Sequence, residues 1–139
     1  LFDTVDSVDS TSLLKKISNY GQKKEKIFSV LLEINTSREN QKYGFLPEEI
    51  DKVLSCFEEP GVLITGLMTV APFTSDEKKL RSSFKALRAL KEKVNNTLGD
   101  DKIQELSMGM SNDYEIAIEE GSTMVRLGTL LFGQRGSFN

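Results

Sequence analysis

The chain has 139 residues, with 18 Lys and Arg against 21 Asp and Glu, a formal net charge of −3. That length suits one domain with a real core, the mixed and slightly acidic charge gives no footprint for nucleic acid, and no apolar run approaches membrane-spanning length. Histidine is absent and cysteine occurs once, which removes Ser-His-Asp and Cys-His catalysis, histidine or thiolate zinc sites and an internal disulfide.

The lone Cys56 fits a reducing, cytoplasmic setting and reads as a structural thiol on a helix. An unaided enzyme of this composition would rely on carboxylates, lysines or tyrosines. A cofactor carrying the hard chemistry is the simpler expectation.

In chain order, Phe2 to Val8 reads as a short strand. Asp9 or Ser10 caps a helix through about Tyr20, with Leu13, Leu14 and Ile17 inward and Gly21 ending it. The run GQKKEK reads as a solvated loop. Ile27 to Ile34 is nearly continuous apolar, as a strand covered on both faces should be. The loop from Asn35 to Phe45 is long and polar, and its chemistry alone leaves bland and ligand-facing readings open. Pro47 fits the first turn of the next helix, whose inner face is Ile50, Val53, Leu54 and Phe57. Pro60-Gly61 breaks it. Val62 to Val70 is a buried strand in which Gly66 marks a close approach of another backbone or a ligand. Met68 reads as core. Thr74 and Glu77 have capping-box spacing before the longest helix, about Ser75 to Thr97, and Gly99 closes it.

The most informative stretch is Leu106 to Arg135. Leu106 to Met110 is an apolar run followed by the cap-type residues Ser111, Asn112 and Asp113. A helix then runs to about Gly121, which suits the left-handed position just past a helix end. Met124 to Leu127 is a second apolar run, and Gly128-Thr129 opens another helical segment. Two strands thus end in turns that start helices. In a parallel layout both turns share one sheet edge, where helix N-termini offer unpaired N–H groups and partial positive charge. Gly128 allows close approach of backbone to a ligand, and Ser111 and Thr129 add hydroxyls. Asn112 and Glu115 fit a capping box, which would leave Ser111 free. Spacing alone equally allows Ser111 to be a plain cap and Gly128 a plain turn.

The segment LSMGMSNDYEIAIEEGSTMVRLGTLLFG resembles the C-terminal signature of the pyridoxal phosphate homeostasis proteins, the YggS/PROSC family. INTSRENQKYGF (34–45) and GLMTVAP (66–72) agree with it in order and spacing. The resemblance implies an α/β fold: a (β/α)8 TIM-barrel relative of alanine racemase, of which this chain supplies about the last five βα units as a single domain. Physics alone also allows a complete flavodoxin-like sheet. The resemblance further implies a pyridoxal 5′-phosphate binding protein of intracellular cofactor homeostasis. Ser111, Gly128 and Thr129 would hold the phosphate, with Met110 near the ring or its phosphate arm. Arg126 would face the pyridine nitrogen; without the resemblance it reads as an ion-pair residue. The family's Schiff-base lysine belongs to a first strand that this chain is expected to lack. Lys42, the nearest candidate, reads as a loop contact.

Two other functions stay in view. One is a racemase-type pyridoxal phosphate enzyme, for which Tyr20, Tyr43 and Tyr114 carry no motif support. The other is a flavodoxin-like domain binding a different phosphate ligand or a protein. Open edges at the first and last strands are expected to favour pairing with the missing N-terminal half or with a second copy.

Overall fold

A computed structural model describes residues 4–40 and 43–133. The expectations for Phe2, for Lys42 and for the end of the Leu106 to Arg135 stretch at 134–135 lie outside the described residues. Five strands alternate with five helices: β1 (Thr4–Val8), α1 (Thr11–Lys23), β2 (Phe28–Glu33), α2 (Ile50–Cys56), β3 (Val62–Met68), α3 (Glu77–Leu98), β4 (Glu105–Met110), α4 (Tyr114–Glu119), β5 (Met124–Arg126) and α5 (Thr129–Phe132).

All four strand pairings are parallel, and the spatial order is the chain order, β1-β2-β3-β4-β5. A flavodoxin-like sheet must reverse direction at a switch point. This sheet does not, and its β1 and β5 are the two edges. Sequential order with helices on one side is what barrel units build.

The packing follows from alternation along each strand. Val30 and Leu32 of β2, Leu67 of β3, and Leu106 and Met108 of β4 join Leu14, Leu80, Phe84, Leu87 and Ala117 of the helices in one buried cluster. The intervening positions Ser29, Leu31 and Glu33 of β2, with Glu105 and Ser107 of β4, belong to the other, concave face. Helix α3 packs on α4 through charge as well. Arg81 reaches Glu77, Glu119 and Glu120 at 2.7, 2.5 and 3.0 Å, and Arg88 donates to the Glu120 carbonyl at 3.0 Å. Glu120 is buried, so two guanidinium groups compensate its charge.

Local chemistry differs from expectation at several ends. The Ser10 hydroxyl does accept from the Leu13 amide, at 3.2 Å. Helix α1, however, runs past Gly21 to Lys23. Gly21 is there for space: a Cβ would lie 2.6 Å from the Lys26 carbonyl oxygen. Pro47 lies in a separate turn, because the Glu49 carboxylate binds the Leu46 amide at 3.0 Å and the helix starts at Ile50. The Thr74–Glu77 box does not form: Thr74 Oγ1 accepts from Asp76 N at 3.1 Å, and Asp76 caps α3 by accepting from Lys78 N. Strand β3 ends at Met68, two residues early, because Thr69 turns its hydroxyl to the Ile34 carbonyl at 2.7 Å. Gly99 (φ +69°) and Gly121 (φ +104°) take the expected left-handed positions. Cys56 is buried, its Sγ donating to the Lys52 carbonyl at 3.3 Å, and burial pushes the thiol up to about 11.

Gly66 is where β3 meets β4. A Cβ would come within 2.5 Å of the Glu105 carbonyl oxygen and 2.7 Å of Leu31 Cδ2. The Glu105 carbonyl is held in the sheet, so Gly66→Ala must force the strands apart. It is expected to destabilise the fold by about 1–3 kcal/mol, read as a lower urea midpoint. An unchanged midpoint would show that the β3–β4 pair can spread freely.

Candidate functional site

The C-terminal strand ends bring three loops to one edge. Residues 70–75 after β3, 110–113 after β4 and 128–129 after β5 line one cleft of about 1160 Å³. Met110, Ser111, Gly128 and Thr129 all belong to it. A second cleft, with Thr4, Ser29, Leu63, Gln104 and Met124 in its wall, opens at the opposite end of the sheet. Parallel sheets bind ligands at the C-terminal edge, which favours the first cleft.

The turn after β4 is tightly made. Gly109 has φ +104°, and a Cβ there would lie 2.7 Å from Ala117 Cβ. The Met110 amide donates to Asp113 Oδ1 at 2.8 Å, and the Asp113 amide returns to the Met110 carbonyl at 3.1 Å. Asp113 occupies the N-cap of α4 without a side-chain bond to the helix, so the Asn112–Glu115 capping box is not formed. Asp113 has taken the turn's own amide instead. Ser111 is not a cap of its own helix either. Its hydroxyl accepts from the Leu130 amide at 3.0 Å, in the first turn of α5. The two turns therefore touch, and the Ser111 O–H proton remains available to a second acceptor. Gly128 has an ordinary negative φ, and a Cβ on it would meet nothing within 4 Å. The chain itself does not require glycine there, which leaves open space beside the backbone for a ligand.

Arg126 lies on the concave side of this turn. Its Nη1 donates to Ser107 Oγ at 2.6 Å and its Nη2 to the Thr69 carbonyl at 2.8 Å. Both acceptors belong to buried residues and both are neutral. Burial lowers the Arg126 pKa, while Asp113, Glu33 and Asp6 support its charge from a distance. The guanidinium thus bonds to neutral oxygens, where the bare sequence suggested an ion pair. Across the concave face the registers Glu33↔Met68 and Met68↔Ser107 place Glu33 two strands away in the same row. Burial, aided by Asp9, pushes the Glu33 carboxyl up, and Arg126 opposes this.

The family model for the alanine racemase N-terminal domain matches residues 3–136. The chain belongs to that family. A relative in Aquifex aeolicus named pyridoxal phosphate homeostasis protein is 38% identical over 132 residues, covering 94% of this chain and 58% of that protein. The chain spans about half the length of the curated relatives it matches. Among solved structures, PipY of Synechococcus elongatus PCC7942 with PLP bound has a TM-score of 0.84 at 28% identity, over 95% of this chain and 61% of that one. Alanine racemase of Clostridium difficile 630, at 17% identity, shares the fold with a TM-score of 0.79 over 96% of this chain and 35% of that one. The five parallel units are therefore part of an alanine racemase-like TIM barrel.

In this racemase-family fold, sequence reasoning did not reach Ser107 or Thr69, and it read Asp113 only as a cap-type residue. Ser107 and Thr69 serve through contacts 19 and 57 residues away in the chain. The bond from the Met110 amide to Asp113 was hidden by its reading as a helix cap. The described residues contain no helix long and apolar enough to cross a membrane and no cluster of ligating side chains suited to a metal.

The raised Glu33 pKa carries a stability prediction. The fold favours the protonated carboxyl, so that contribution is present below the unfolded value and lost as pH rises through the folded one. Glu33→Gln keeps the neutral form at all pH. It should raise the urea midpoint at pH 7, with the gain shrinking towards pH 4, the ordinary range of the carboxyl. A gain that grows on acidification would contradict the assignment.

Proposed function

We propose that this chain binds pyridoxal 5′-phosphate and serves in intracellular homeostasis of that cofactor, as a single domain forming the C-terminal portion of a barrel in the cytoplasm. The observation that carries the reading is the meeting of two helix-starting turns. Ser111 Oγ lies 3.0 Å from Leu130 N, Gly128 has open space beside it, and Arg126 is held next to the turn by Ser107 and Thr69. A phosphate needs several convergent donors and an unobstructed approach, and these residues fit it. The solved PipY chain bound to PLP supports the same ligand class.

On this reading Ser111, Gly128 and Thr129 hold the phosphate and Met110 flanks it. Arg126 is directed to the pyridine nitrogen. When bound, the cofactor supplies a carbonyl and an electron-withdrawing ring. Arginine remains cationic at working pH even when partly buried. It disfavours a protonated ring nitrogen, which weakens electron withdrawal by the ring. That suits holding and handing on the cofactor more than catalysis. A racemase-type enzyme needs two acid–base groups about the substrate carbon. Tyr20 and Tyr43 are exposed and Tyr114 bonds Glu115 at 3.2 Å, which supports the carrier reading. Further barrel units or a second copy of the chain would cover the edges of β1 and β5. The balanced charge gives neither nucleic acid nor a membrane surface an evident hold.

Titration with pyridoxal 5′-phosphate, followed by absorbance, should saturate. Ser111→Ala should weaken the phosphorylated ligand by about tenfold or more, as expected for a charge-assisted hydrogen bond, and leave pyridoxal nearly unaffected. Absence of saturable binding, or equal losses for both ligands, would refute the site.

Arg126→Glu gives a separate readout. It should shift the absorbance of the bound cofactor towards the protonated ring form, read at saturating ligand because loss of the bonds to Ser107 and Thr69 also loosens the end of β5. An unchanged spectrum with ligand still bound would remove Arg126 from the ring.

A further inference from the structure

The turn that presents Ser111 is closed by a carboxylate. Asp113 Oδ1 accepts the Met110 amide at 2.8 Å, and its own amide returns to the Met110 carbonyl at 3.1 Å. Met110, Ser111, Asp113, Gly128 and Thr129 line the same cleft. Any neutral acceptor could hold the Met110 amide; asparagine has the same shape and the same oxygen. A carboxylate adds a negative charge beside the place where a dianion is to bind. Like charges in one cleft, within a Debye length of about 8 Å, repel.

We propose that Asp113 is a positioning residue with two opposed effects: it fixes the turn in its phosphate-receiving shape, and its charge keeps the bound phosphate ester releasable. The proposal deepens the pyridoxal phosphate reading and rests on it. Its geometric part follows from connectivity. Met110 and Asp113 bracket Ser111, so the reciprocal pair sets the direction of the Ser111 hydroxyl towards α5. Losing the acceptor frees the Met110 amide and lets the turn open. Its electrostatic part follows from the same oxygen. A carrier that must pass on its cargo gains from a cradle with good geometry and reduced charge complementarity, since affinity differences are expressed mainly in the off-rate.

The two effects separate by substitution in the intact chain. Asp113→Asn keeps the acceptor and removes the charge. It should bind pyridoxal 5′-phosphate about 3- to 10-fold more tightly, with slower release on dilution, and the gain should shrink in high salt. Asp113→Ala removes both and should bind at least tenfold more weakly than Asp113→Asn. Pyridoxal, which lacks the phosphate, should distinguish the variants little. If wild-type protein fails to bind pyridoxal 5′-phosphate at all, the functional reading fails. If it binds and Asp113→Asn is equal to or weaker than wild type, the role of Asp113 is overturned while that reading stands. Equal affinities of the Asn and Ala variants also overturn it. Should Asp113→Ala not fold, the Asn variant and its salt dependence decide alone.

Discussion

Arg126 ties together the ends of three strands, and the geometry of the proposed cofactor edge depends on it. Strand β5 has only three residues, and its ladder to β4 is interrupted between Ser107 and Met110. So short an edge strand gains little from its own hydrogen bonds. The guanidinium adds a bond to Ser107 on β4 and another to Thr69, just past β3. These bonds fix where β5 ends and hence where Gly128 and the start of α5 lie. A half-buried cation is costly unless its hydrogen bonds are met. Here neutral oxygens meet them, and Asp113, Glu33 and Asp6 support the charge from a distance.

The proposed phosphate side is built in the same way. Ser111 and Asp113 resemble ordinary helix caps, yet neither caps α4. Asp113 closes its own turn, and Ser111 reaches the first turn of the neighbouring helix. The Ser111 side chain is turned sideways, joining two βα units across the sheet edge. Behind them, the Arg81–Glu120–Arg88 contacts hold α4 against α3. Helix α4 therefore cannot shift without breaking a buried ion pair, which costs more than a surface one.

The two faces of the sheet differ in kind. The helix side is continuous apolar packing from Val8 to Ala117. The concave side carries Glu33, Ser107 and Arg126 among Leu31 and Met68. That mixture is too polar for a simple core and too ordered for plain surface. It matches the interior of barrel strands near their C-terminal ends, where chemistry is placed.

The sequence alone determined the alternation of strand and helix, because apolar runs at Ile27–Ile34, Val62–Val70 and Leu106–Met110 are bounded by strong breakers. It also determined the place of the two helix-starting turns, since hydroxyl and glycine residues follow two such runs, and Gly66 as a point of close approach. Long motif segments, and not spacing, carried the barrel and the ligand class. Only the tertiary structure decided the strand order, because the same βα pattern fits singly and doubly wound sheets. It alone placed Arg126 on Ser107 and Thr69, and Ser111 on Leu130. Such contacts join residues far apart in the chain, and local periodicity holds no information about them. The capping boxes at Thr74 and Asn112 failed for the same reason at short range: Asp76 and Asp113 compete for the same turns. Only folded geometry shows which oxygen reaches which amide.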